Sequence, residues 1–145
     1  MWAYPLVNAA HILGVALLVG AIVPLDLRLI GFWPSVPLNA LWHILSRTAA
    51  VGLAIAIGAG ALLFITRAGD YAESKLFLFK MLAILAGFAN IGLLRHWMRD
   101  AGLGQPGVGT PGASSNPSAS MRLAGVLSLV IWITALVLGR LVGYF

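Results

Sequence analysis

The chain has 145 residues, of which 61% are apolar and 9% charged, with a net charge of +5 and no cysteine. That composition, with a mean hydropathy of +0.98, excludes an ordinary soluble globular domain. The missing thiols exclude disulfides, thiolate metal sites and cysteine-ligated iron–sulfur clusters within the chain.

Taken in order, stretches near the roughly 17–25 residues that cross a bilayer occur at Leu6–Leu25, Thr48–Thr66, Leu76–Leu94 and Leu123–Gly139. The reading is an all-α integral membrane protein, an antiparallel four-transmembrane-helix bundle. Residues 1–145 form one membrane domain, with helices over about 6–25, 38–66, 76–97 and 122–142. The first stretch has no basic segment before it and no small-residue cleavage site after it, so it reads as a retained helix and not a signal peptide. Pro24 is expected to bend it just before Asp26 and Arg28. Phe32-Trp33-Pro34 and Pro37 then make an interfacial turn, and Leu38 to Arg47 leads into the second span with Trp42 and His43 at headgroup depth.

The second span is rich in small residues. Ala54 with Gly58, and Ala56 with Gly60, have the small-xxx-small spacing that lets helix backbones approach closely, and Ala83 with Gly87 repeats it in the third. The short link from Arg67 to Lys75 predicts that helices two and three are tightly apposed neighbours. Residues 101–120, rich in Gly, Pro and Ser, read as a flexible loop before the fourth helix. The scattered positive charge suits a lipid bilayer with anionic headgroups and argues against nucleic acid as a partner.

Ionisable side chains inside such segments are costly and are the first functional leads. With four spans, His11 and Lys80 fall on the same side of the membrane, each roughly 6–8 Å below its boundary at about 1.5 Å per residue. Asn8 is three residues before His11 and shares its face. These three would surround one pocket if helices one and three were neighbours. A neutral imidazole there can ligate haem iron or another metal, and a lysine can pair with a propionate or a substrate carboxylate. The bland alternatives are a lysine that snorkels to the headgroups and a histidine that hydrogen-bonds between helices.

On the other side stand Asp26, Arg28, His43, Arg47, Asn90, Arg95, His96 and Arg122. Asp26 is expected to pair with an arginine across helices, and Asn90 to bond another helix. A bis-histidine site from His43 and His96 is disfavoured, because His96 lies about 160° around the helix from Lys80. No phosphate loop, carboxylate pair or nucleophile–His–acid arrangement is present, which argues against a hydrolase.

The pattern His11-Ile12-Leu13-Gly14, Gly20, Asp26-Leu27-Arg28-Leu29-Ile30-Gly31, then Phe77, Phe79-Lys80 and Asn90 resembles a family of uncharacterised bacterial four-helix membrane proteins, over residues 5–96. A more distant likeness is to copper-resistance D-type domains and to the membrane-type protoporphyrinogen oxidase. Those groups have a histidine early in a first helix and a lysine early in a later one, matched here by His11 and Lys80. The resemblance implies haem b, a redox role and His11 as axial ligand; no second, equally placed histidine matches. It also implies the bacterial cytoplasmic (inner) membrane. The arginine excess at 28, 47, 95, 99 and 122 then predicts cytoplasmic loops 26–47 and 95–122 and external termini.

Three functions follow as expectations. One is a b-type haem-binding domain for redox chemistry or electron transfer. Another is a cofactor-free accessory or scaffold subunit, as a homodimer or within a larger membrane complex. The third is a small proton-coupled transporter using His11, Lys80 and Asp26.

Overall fold

The structure, a computed structural model, describes residues 2–69, 73–100, 117–142 and 144. These contain four long helices and no strand: α1 (Ala3–Ile30), α2 (Leu38–Thr66), α3 (Lys75–Asp100) and α4 (Ala119–Val142). Each is long and apolar enough to cross a membrane, since even the 24 residues of α4 extend about 36 Å. The predicted loop at 101–120 lies outside the described residues as far as residue 116.

Local chemistry sets the helix ends. Ser74 and Ser118 cap α3 and α4, their Oγ atoms accepting the backbone N–H groups of Phe77 (3.4 Å) and Met121 (3.3 Å), donors that an uncapped first turn leaves unpaired. α1 runs five residues beyond its predicted end, through Pro24 to Ile30. It stops at Gly31, whose φ of 127° suits a residue without Cβ, and whose N–H bonds the carbonyls of Leu27 and Arg28. The extension carries Asp26 and Arg28 into the helix, where both are buried. Arg28 staples the following turn, its Nε donating to Val36 O at 2.9 Å and its Nη2 to Pro34 O at 3.4 Å.

The close neighbours are α1 with α2, α1 with α4, and α3 with α4. The predicted apposition of α2 and α3 is corrected: they do not run against each other along their length. The small residues of α2 serve α1 instead. A Cβ on Gly14 would lie 2.5 Å from Ala56 N and 2.8 Å from Gly52 O, and one on Gly52 would lie 2.6 Å from Leu18 N. The two backbones are therefore in direct contact, as tight helix pairing in an apolar medium requires. Gly87 of α3 serves α4, with Trp132 2.8 Å from its Cβ position. Ala54 and Gly58 face outward, and nothing lies within 4 Å of a Cβ on Gly58.

One end of the molecule is filled by Leu25, Leu29, Leu38, Leu94, Met98, Met121 and Ala124, with Trp42 and Trp97 against them. Leu18, Ile22 and Trp132 continue this core towards the middle. The outward faces stay apolar, with Leu78, Phe79, Leu82 and Leu85 of α3 all more than half exposed. Helices apolar all round are suited to lipid and would be a liability in water.

Candidate functional site

At the end opposite the filled core, all four helices part around a cavity of about 600 Å³. α1 contributes the stripe Asn8, His11, Ile12, Val15, Ala16, Val19 and Gly20, whose three- and four-residue spacing keeps it on one face. α2 adds Gly60, Leu63 and Phe64; α3 adds Phe77 and Lys80; α4 adds Ala135, Leu136, Gly139 and Arg140. Small residues at 16, 20, 60, 135 and 139 make the space.

His11 is held from behind. Its Nδ1 lies 2.9 Å from the carbonyl oxygen of Ala56, and a carbonyl can only accept, so Nδ1 carries the proton. Gly60 lets the ring lie there: a Cβ on it would be 3.1 Å from His11 Cε1 and 3.2 Å from Nδ1. In the neutral ring Nε2 then bears the lone pair, on a side chain that lines the cavity. A backbone carbonyl on one ring nitrogen that fixes the tautomer of the other is the arrangement metal-binding histidines use.

Lys80 is half-buried and reaches across to α4, where its Nζ is 3.4 Å from the Cβ position of Gly139. A larger residue at 139 would push the ammonium away. The second cation of the wall, Arg140, donates from Nη2 to the Tyr144 hydroxyl at 2.8 Å, with Cζ 4.8 Å over the Tyr144 ring. Arg140 was not among the candidate site residues read from the sequence. Its signal was topological, because with four spans it ends on the same side as Lys80. Among the described residues, two cations and no acid line the cavity. Phe64 and Phe77 stack at its edge, centroids 5.3 Å apart and rings inclined by 21°.

Asn8, His11 and Lys80 thus share one cavity, although α1 and α3 are not close neighbours in the bundle. Asp26 does not join them. It lies fifteen residues along α1 from His11, about 22 Å by helical rise, and bonds Ser128 of α4. Its Oδ2 is buried without a hydrogen-bond partner among the described residues. The expected cross-helix arginine pair is replaced by this hydroxyl contact, because Arg28 turns to the carbonyls of the following turn while Arg47 and Arg95 are exposed. Asn90 is buried and donates from Nδ2 to Ala124 O of α4 at 3.1 Å. His43 and His96 are both exposed, and His96 sits 3.5 Å from Asp100 on its own helix. Among the described residues no three of His, Asp and Glu gather as a metal site would need.

Compared with protein-family models, curated proteins and solved structures, the chain matches none.

Proposed function

We propose that this chain is a membrane-spanning b-type haem domain, an antiparallel bundle serving electron transfer or redox chemistry, with His11 as axial ligand. The observation that carries this reading is His11 itself: Nδ1 bonded to Ala56 O, on a side chain that lines a cavity of about 600 Å³. That volume is within the range of cofactor sites. A metal bound by side chains alone needs several ligands, and the described residues do not gather them. Haem brings four nitrogens of its own and asks the protein for an axial group.

The remaining wall fits the same occupant. Ile12, Val15, Val19, Leu63 and Leu136 are apolar, as a macrocycle requires, while Lys80 and Arg140 are cations with no competing acid among the described wall residues. They would hold the propionates, and Asn8 would bond one at the rim. Bound haem would supply one-electron chemistry; the protein's own part is to fix the imidazole, exclude water and set the charge at the rim. The first test is a reduced-minus-oxidised visible spectrum of detergent-purified protein made with ample haem. A b-type α-band supports the reading, and a colourless, folded preparation ends it. In Lys80→Met the haem should remain but its affinity should fall about tenfold, the loss of one charge-assisted hydrogen bond. A hemin titration unchanged by that substitution would remove Lys80 from the site.

A second reading, an accessory subunit or homodimer, is favoured by one observation. Ala54 and Gly58 keep small-xxx-small spacing on the outward face of α2, which suits a helix of another chain. Gly58→Leu should therefore leave the monomer folded and abolish cross-linked dimers or co-purifying partners. Unchanged cross-linking would count against this face. A permease using His11, Lys80 and Asp26 together finds less support, since Asp26 is about 22 Å along α1 from the other two.

A further inference from the structure

We infer that the cavity admits its occupant sideways from the bilayer, between α2 and α3, and selects an acidic amphiphile. The inference rests on the same cavity as the haem reading, of which a dicarboxylate macrocycle is one instance, but not on iron ligation.

Three observations carry it. The first is the seam. α1 is closed against both α2 and α4, and α3 against α4, but α2 and α3 do not run together. Among the described residues, this is the side of the bundle that no extended helix–helix contact closes. The helices meet beside the cavity at the Phe64–Phe77 stack, two side chains that both line it. The second is charge. Among the described residues Lys80 and Arg140 are the charged residues of the wall, and Arg140 is steadied by Tyr144. A lysine below the membrane boundary with no acid among the described wall residues is served by an anion that arrives with the ligand. The third is shape. From this cationic end the α1 stripe Val15, Val19 and Gly20 runs inward as an apolar trough, and nothing lies within 4 Å of a Cβ on Gly20. An acid head at Lys80 with an apolar body along Val15 and Val19 matches all three; a water-soluble ligand would meet an apolar floor.

The test is photolabelling of the full chain in phosphatidylcholine vesicles with a diazirine-bearing fatty acid, with adducts mapped by mass spectrometry. Adducts at Val15, Val19 and Leu63, reduced about tenfold in Lys80→Met, are the expected result. Gly20→Phe, at a lining position whose Cβ meets open space, should remove those adducts and leave the ones at Leu78 and Leu85. Adducts confined to such outward residues in the parent chain overturn the inference. So does equal cavity labelling by the same diazirine carried on the acyl chain of phosphatidylcholine, because the site would then select no acid. Hemin should compete the cavity adducts away. Cavity labelling in a parent chain that itself shows no haem band, unchanged in His11→Ala, leaves this inference standing while the haem reading fails.

Discussion

His11→Ala is expected to lose both the Soret and the α-band while the helices stay folded. The imidazole donates from Nδ1 to Ala56 O at 2.9 Å, and as an interior carbonyl of α2 that oxygen keeps its own helical bond when the ring is removed. The structural cost is therefore the loss of one hydrogen bond, about 1 kcal/mol, which a helical membrane protein tolerates. The functional cost is the iron ligand, for which no other histidine is near: His43 and His96 are exposed at the opposite end. Two companion variants separate ligation from packing. In His11→Gly the vacated space admits free imidazole, and added imidazole should restore the bands. In His11→Asn the side-chain amide can still donate to Ala56 O but does not ligate iron as imidazole does, so the helix contact is kept and the colour lost. A His11→Ala protein with unaltered bands would show that iron, if bound, is held elsewhere.

Position along the helices was legible in the sequence, and lateral arrangement was not. Rise per residue and an even number of spans put His11, Lys80 and Arg140 towards one side by arithmetic, and these three line one cavity. Which helices touch is another matter. A small-xxx-small spacing says that a helix can be approached closely but not by what: Ala56 and Gly60 receive α1 and its His11, while Ala54 and Gly58, with the same spacing, face outward. Proximity in sequence misled for the same reason. The link between α2 and α3 is short, yet buried residues of α3 such as Gly87 and Asn90 are turned to Trp132 and Ala124 of α4. Asp26 shows a third limit. Composition supplies several arginines as partners, but α1 continues past Pro24, which turns the carboxylate inward to Ser128. A proline costs one backbone bond without obliging the helix to stop when its neighbours hold it.

The largest effect on the fold is expected from Gly52→Leu. In lipid the apolar side chains gain little by leaving their surroundings, so two helices adhere through contact between their surfaces, and that contact falls steeply with separation. Between α1 and α2 the surfaces are the backbones themselves. A Cβ on Gly52 would lie 2.6 Å from Leu18 N, 2.8 Å from Gly14 O and 2.8 Å from Leu17 Cβ. Of these, two are main-chain atoms of a helix, with no rotamer by which to withdraw, so a leucine must separate the helices. The expected loss is at least about 3 kcal/mol, read as a lower melting temperature in detergent by near-ultraviolet circular dichroism. Gly58→Leu is the matched control six residues on, where the new side chain meets open space and should leave the melting temperature unchanged. The separation also reaches the cavity, because the same α1–α2 contact brings His11 against Ala56 and Gly60. A milder Gly52→Ala, folded but slightly opened, should therefore weaken haem retention although residue 52 does not line the cavity. If Gly52→Leu melted like the parent chain, the α1–α2 backbone contact would not be what holds this fold together, and the geometry derived for His11 would fall with it.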